Sequence, residues 1–221
     1  MSVWAILVAA GRGERLGADQ PKAFAKLGEL PLLAEPLRRL DDSEWVDAVV
    51  VVAPPGWEEP AILLAEELGC SKVRACVPGG ETRAESVRAG VAEVPEDAAV
   101  VLVHDAARPL LPEEVVERVL APLAEGWDGV VPGLPVSDTV KRVGGDGGVV
   151  ETVARDGLWA VQTPQAFPAE TLRRAVGSGG EATDCAGLVE AQGGRVQIVP
   201  GDPRLLKVTT PDDLARIASW L

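Results

Sequence analysis

Asparagine is missing from this chain and methionine occurs once, whereas proline is plentiful at 18 residues. Few thermolabile side chains and many prolines fit a heat-adapted source, although the excess of Arg over Lys equally fits genome composition. Cysteine is scarce. Cys70, Cys76 and Cys185 are an odd set without C-x-x-C spacing, which excludes a zinc site and a disulfide framework and fits reduced thiols in a cytosolic protein. Positive charge is also short, with 21 Lys and Arg against 34 Asp and Glu and a formal charge of −13. Nucleic acids and anionic membranes both demand a basic face, so neither is an expected partner. Long apolar runs are absent too. The run over 3–10 is too short for a membrane span and lacks the basic flank of a signal peptide, so the expected location is the cytoplasm.

What is present suits one globular domain: 221 residues, 47% apolar and 25% charged, enough length for a real core. The run over 3–10 reads as a buried strand and breaks into Gly11-Arg12-Gly13, followed by Arg15, Gly17, Pro21 and Lys22. Glycines after a strand let backbone N–H groups approach a phosphate chain, and Arg15 and Lys22 add fixed positive charge. A P-loop would need Lys-Ser or Lys-Thr after its last glycine, and Ala18 follows Gly17 instead. A dinucleotide fingerprint would need glycine or alanine where Leu16 stands. What remains, A-A-G-x-G-x-R-x-G-x-x-x-P-K, resembles the signature loop of nucleotidyltransferases that join a nucleoside triphosphate to a phosphorylated small molecule.

Further along, the apolar runs over 48–53 and 99–103 read as strands buried on both faces. Helices are expected over 31–40, 57–68, 112–123 and 168–176, with short strands over 72–77, 129–131 and 195–199. Thr82 and Glu85 form a capping box that starts a helix with Val87, Val91 and Val94 inward. Thr183 or Asp184 caps a further helix, and Thr210-Pro211-Asp212-Asp213 opens the last one. Strand and helix alternate, which predicts an open, mostly parallel twisted α/β sheet flanked by helices. Ligands in such sheets sit outside the carboxyl ends of the strands. The rhythm changes over 136–155, a β-hairpin with a glycine-rich tip, followed by an extended stretch over 159–167. A lone hairpin is marginal in water, so this one either packs on its own domain or embraces a second subunit.

If a triphosphate lies along the first loop and an acceptor phosphate attacks it, the protein must align two anions and absorb charge. Lys22 and Arg15 are the candidates for that work, with Arg12 helping to hold the outer phosphates. Such chemistry implies a divalent cation, normally magnesium. Asp105, ending a buried strand, is the expected ligand; the alternative is that Asp105 caps the next turn and pairs with Arg108. His104, the sole histidine, is expected to pack and hydrogen-bond, because an ionised phosphate needs no general base. Gly79, Gly80 and Ser86 either present amides to a pyrimidine edge or form a turn before the capped helix. Thr139, Lys141, Arg155, Thr163, Thr183 and Lys207 supply small donors and cations that would suit a phosphorylated, hydroxyl-rich acceptor, and Arg108 is expected on that side as well.

The ordered set AAGRGERLGADQPK, GGETRAESV, VHDAARP, DTVKRV, LWAVQTPQAF, Thr183-Asp184 and KVTTPDDL resembles the 2-C-methyl-D-erythritol 4-phosphate cytidylyltransferase family over essentially the whole chain. The resemblance implies reaction of CTP with methylerythritol phosphate and magnesium, with Arg15 and Lys22 stabilising the transition state. It implies that Ala9, Ala10, Gly11, Gly13, Gly80, Ser86, Asp105 and Ala106 hold CTP and its metal. Arg108, Thr139, Arg155, Thr163, Thr183 and Lys207 would hold the acceptor. It also implies a homodimer whose hairpin arm carries Arg155 to the neighbouring site, which decides between the two hairpin readings. Cys185 departs from the acid or polar residue more usual in that family. Ribitol 5-phosphate cytidylyltransferase is the nearest rival. A non-catalytic nucleotide-binding regulator is disfavoured by retention of both Arg15 and Lys22, and a dehydrogenase by the missing third glycine.

Overall fold

The structure is a computed structural model that describes residues 2–11, 20–180 and 182–221. The first strand, β1 (Val3–Val8), is followed by a short antiparallel pair, β2 (Lys26–Leu27) and β3 (Leu30–Pro31). That pair delays helix α1 (Ala34–Asp42) past the expected start, so Pro36 falls in its first turn, where a missing N–H costs no helical bond. Strand β4 (Ala48–Ala53) has every residue buried, as its unbroken apolar run requires. Helix α2 (Glu58–Glu67), strand β5 (Val73–Pro78) and helix α3 (Arg83–Ala92) follow. Both halves of the Thr82–Glu85 capping box are formed, and Val87, Val91 and Val94 are buried.

Strand β6 (Val100–Asp105) is again wholly buried. Helix α4 (Glu113–Leu120) is shorter than the expected 112–123, because Pro122 lacks an N–H and the chain continues as a 3-10 turn over Ala121–Glu125. Strand β7 (Gly129–Pro135) leads to the hairpin strands β8 (Val140–Val143) and β9 (Val149–Val153). The stretch expected to be extended over 159–167 divides into β10 (Trp159–Val161) and β11 (Gln165–Pro168), with a cis bond between Thr163 and Pro164. The division has a cause in pairing: β10 lies on the end of β7, whereas β11 lies mainly on β6, so the chain must step from one neighbour to the other. Helices α5 (Ala169–Gly177) and α6 (Cys185–Glu190), strand β12 (Val196–Pro200) and helix α7 (Pro211–Ala218) complete the described chain. Asp184 is the cap of α6, accepting from the Gly187 amide.

The main sheet runs β10-β7-β11-β6-β1-β4-β5, with β12 on the other side of β7. Strands β6, β1, β4 and β5 are parallel, β12 is parallel to β7, and β11 runs antiparallel between β6 and β7. Alternation along the strands divides the core between two faces. Ala5, Leu7, Val49 and Val51 pack with Leu37, Leu64 and Val115 on one side. Ile6, Val50, Val52 and Val101 pack with Val87, Leu172 and Leu188 on the other. This is the flanked, mostly parallel sheet the sequence pattern predicts. By contrast, among the described residues β8 and β9 pair only with each other, and Val143, Val149 and Val150 on them are 53%, 61% and 66% exposed.

One glycine shows how closely α3 lies on the sheet. A Cβ on Gly90 would come within 2.6 Å of Ile6 Cγ2 and 2.9 Å of Val52 Cγ2, both from stiff, buried, β-branched side chains. Helix propensity alone favours alanine by about 1 kcal/mol, but overpacking of this kind costs about 1–3 kcal/mol. Gly90→Ala is therefore expected to lower the urea midpoint of unfolding, and a raised midpoint would show that the helix shifts freely off the sheet.

Candidate active site

The carboxyl ends of β1, β4, β5 and β6 are laced together where they leave the sheet. Ala9 N donates to Val52 O (2.8 Å), Gly79 N to Ala53 O (2.8 Å) and Ala106 N to Val8 O (3.0 Å). A Cβ on Gly79 would stand 2.2 Å from Ala10 Cβ, and one on Gly80 would stand 2.3 Å from Glu85 Cβ. Both glycines are thus required by close approach of backbone to neighbour, and neither has a positive φ. The Gly80 amide donates to Ser86 Oγ (3.2 Å), and Ser86 Oγ donates in turn to Thr82 O (3.0 Å). The turn before the capped helix is thereby built, and Gly80 and Ser86 still line the cavity beside it.

That cavity, of about 270 Å³, is walled by Ala9, Ala10, Gly11, Gly80, Ser86 and Ala106, with Lys22, Arg83, Asp105 and Lys207 supplying charge. Lys22 opens a 3-10 turn (Lys22–Phe24) anchored by Phe24, which is buried with its ring centroid 4.6 Å from that of Trp57. Arg12, Gly13 and Arg15 lie outside the described residues. The structure therefore brings together Lys22 and every described residue expected on the nucleotide side.

Asp105 holds the centre. Arg83 directs Nε and Nη2 at its Oδ1 (3.2 and 3.1 Å), and Lys207 Nζ donates to Oδ2 (2.8 Å). Burial alone would raise the Asp105 pKa, but Arg83 and Lys207 outweigh it and hold the carboxyl below the usual carboxylate range. The alternative pairing of Asp105 with Arg108 is not what forms. The Arg108 guanidinium is taken by backbone carbonyls, with Nη1 donating to Leu205 O (2.6 Å) and Nη2 to Val161 O (3.3 Å). Arg83 is the residue that sequence reasoning passed over, noting it only as part of a capping box. Its signal was position: the first residue of a capped helix, just after a strand end and two glycines.

A second cavity, of about 210 Å³, shares Arg83, Asp105 and Lys207 with the first and adds Arg108, Thr163 and Thr183. Four of the six residues that the family resemblance sets on the acceptor side thus meet here, whereas Lys141 stays on the hairpin, donating to Thr152 Oγ1 (2.5 Å). The other two, Thr139 and Arg155, line neither cavity; Arg155 donates to Ser137 O at the base of the exposed hairpin. The wall behind the cavity is a closed polar chain. Gln165 Nε2 donates to Asp184 Oδ2 (2.7 Å), and Gln165 Oε1 accepts from the Cys185 amide (3.1 Å). Gln162 brackets Asp202 in the same two-bond manner, donating to its carbonyl (2.9 Å) and accepting from its amide (3.0 Å). This clamp secures the segment that carries Lys207 back toward Asp105.

A divalent cation fits at Asp105 as a single protein ligand. Oδ1 is filled by its two bonds from Arg83, but Oδ2 keeps a lone pair beyond the bond from Lys207, and the side chain faces an open cavity. Magnesium normally takes one or two carboxylates and completes its shell with substrate phosphates and water. Among the described residues no cluster of three His, Cys, Asp or Glu side chains that could hold a metal ion exists.

His104 is fully buried, with Nε2 3.0 Å from Arg108 O and Nδ1 3.0 Å from Thr163 Oγ1. Thr163 Oγ1 accepts from Asp105 N (3.0 Å), so its proton goes to Nδ1 and the imidazole N–H sits on Nε2. The network assigns that tautomer. His104 thus packs and orients, as expected, and Thr163 retains one lone pair for a ligand. Burial pushes the imidazole pKa from 6.5 down to about 4. Across that interval the unfolded chain binds a proton the folded chain refuses, so stability is full above pH 6.5 and drains away as pH falls to about 4. The melting temperature is expected to drop across this window, and His104→Gln to flatten the slope; an unchanged slope would place the acid lability elsewhere.

Over its length the chain is similar to known proteins of one family. A family model described as IspD: 2-C-methyl-D-erythritol 4-phosphate cytidylyltransferase matches residues 3–221. A protein of that name from Saccharopolyspora erythraea is 50% identical over 219 residues, covering 97% of each chain. One from Nocardia farcinica is 47% identical over 220 residues, covering 100% of this chain and 94% of its own. A solved 4-diphosphocytidyl-2C-methyl-D-erythritol synthase superposes with a TM-score of 0.84 at 35% identity, covering 99% of this chain and 97% of that one. The crystal structure of the Thermus thermophilus cytidylyltransferase gives 0.79 at 33% identity, covering 100% of this chain and 98% of that one.

Proposed function

The chain belongs to the 2-C-methyl-D-erythritol 4-phosphate cytidylyltransferase family and transfers a cytidylyl group from CTP to 2-C-methyl-D-erythritol 4-phosphate, and we propose that the paired cavities around Asp105 are where it does so. The reaction belongs to the non-mevalonate route to isoprenoid precursors. A phosphate oxygen of the acceptor forms a bond to the α-phosphorus of CTP, the bond to the β-phosphate breaks, and pyrophosphate leaves with the electron pair. The observation that carries the siting is that two cavities of different lining meet at one carboxylate.

On this reading CTP occupies the first cavity against Ala9, Ala10, Gly11, Gly80, Ser86, Asp105 and Ala106, and Gly13, outside the described residues, is a further CTP-binding residue. Arg15 and Lys22 absorb the charge that grows on the transferring group. Arg108, Thr163, Thr183 and Lys207 hold the polyol phosphate in the second cavity. Magnesium held at Asp105, when bound, neutralises part of the triphosphate charge. No general base is needed, which agrees with His104 being buried and neutral. The relatives' names favour methylerythritol phosphate over ribitol phosphate as the acceptor. Among the described residues no helix is long and apolar enough to cross a membrane, and a cytoplasmic location fits the unpaired cysteines.

We further propose a homodimer in which the β8–β9 arm carries Thr139 and Arg155 into the neighbouring cleft. Support comes from the arm's isolation from the main sheet and from its exposed valines, since apolar groups in such numbers mark a contact surface.

Two measurements test the scheme. Lys22→Ala should lower kcat on the order of 100- to 1000-fold in a pyrophosphate-release assay, and near wild-type turnover would remove Lys22 from the chemical step. Lys22→Ala and Arg155→Ala proteins, each weak alone, should regain up to about a quarter of wild-type activity after subunit exchange, because mixed dimers hold one intact site. No recovery would place both residues in one chain's site.

A further inference from the structure

The charges around Asp105 do not cancel as in a simple ion pair. One carboxylate meets two cations, with the guanidinium of Arg83 wholly on Oδ1 and the ammonium of Lys207 on Oδ2. The remaining guanidinium nitrogen, Arg83 Nη1, lies 3.3 Å from Cys185 Sγ. Cys185 is buried, and burial pushes its thiol pKa up despite the nearby arginine. The thiol therefore anchors Arg83 without neutralising it. Asp184, the other acid of the second cavity, is turned to the Gly187 amide and the Gln165 side chain. Arg83, Asp105 and Lys207 together thus keep one net positive charge, 10–43% exposed at their side chains, at the junction of the two cavities.

Without the guanidinium, Lys207 and Asp105 would be a neutral pair with the ammonium turned to its own carboxylate. A second anion would then meet a dipole in place of a charge, and the gain on binding would fall accordingly. Arg83 is also rigidly carried. It is the first residue of α3, held by the Thr82–Glu85 capping box, and its side chain is wall to both cavities.

We propose that Arg83 is a positioning residue for the acceptor: by occupying Oδ1 it fixes the Asp105 carboxylate and leaves Lys207 attractive to an incoming phosphate. Cys185 serves as its anchor. The inference rests on the reading that Lys207 faces the acceptor.

The test compares Arg83→Met, Arg83→Lys, Cys185→Ala and Lys207→Met in the full chain, with KM measured separately for CTP and for 2-C-methyl-D-erythritol 4-phosphate. Arg83→Met is expected to raise the acceptor KM on the order of tenfold or more and the CTP KM by clearly less, Arg83 being a wall of the nucleotide cavity as well. Arg83→Lys should recover part of the loss, and Cys185→Ala should show a smaller rise on the acceptor alone. An unchanged acceptor KM in Arg83→Met, or an equal rise in both constants, overturns the proposal. If Arg83→Met fails to give a cooperative melt, Cys185→Ala decides, and an unchanged acceptor KM there overturns it. Lys207→Met separates the two claims. If it leaves the acceptor KM unchanged, the siting of the acceptor fails; if it raises that KM and Arg83→Met does not, only the role of Arg83 fails.

Discussion

A single carboxylate with a cation on each oxygen sets the geometry of this molecule's working end. Asp105 ends the central buried strand β6, so its backbone is held by β1 and by the Thr163 hydroxyl. Its side chain then gathers residues far apart in sequence: Arg83 from the first turn of α3 and Lys207 from the segment beyond β12. A buried acid without either cation would be an uncompensated charge, and with both it is over-compensated, which is why the group behaves as a unit. The cavities on either side of it share those three residues, so donor and acceptor positions are defined relative to one another by the fold.

Around that unit the supporting polar groups form a connected chain, in which Arg108 Nε alone of the arginine's nitrogens is buried without a hydrogen-bond partner among the described residues. Thr163 links the Asp105 amide to His104, and His104 passes the chain to the Arg108 carbonyl. Arg108 in turn grips Leu205 O, two residues before Lys207. The path from the end of β6 to the ammonium of Lys207 therefore closes on itself. Positioning of this kind matters when the chemistry consists of bringing two anions into line, because small misplacements are magnified in the rate.

Much of this was legible in the residues, and the limits of legibility are physical. The unbroken run of β4 announced burial on both faces, and Thr82, the pair Thr183-Asp184 and Thr210 announced helix starts, because capping depends on neighbours in sequence. Asp105 stood out as an acid at a strand end. Arg83 did not, because its partner lies 22 positions away and the contact exists only once β5 and β6 flank β4 and β1. Nor could the main-chain contacts of Arg108 be read, since carbonyls carry no residue signature. Periodicity indicated extended chain at 159–167 but held nothing about direction or neighbours, so the step between β10 and β11 stayed hidden. The hairpin was plain from its alternation and glycines.

The near-contact between Gly79 and Ala10 has an implication for how this cleft can diversify. Where the floor is main chain pressed against an alanine methyl, its width is inherited from the spacing of the sheet beneath. Substituting side chains there can only obstruct the opening. Changes in what the protein accepts must therefore arise on the opposite wall, from Thr163, Thr183 and the segment bearing Lys207, where side chains and not main chain define the shape.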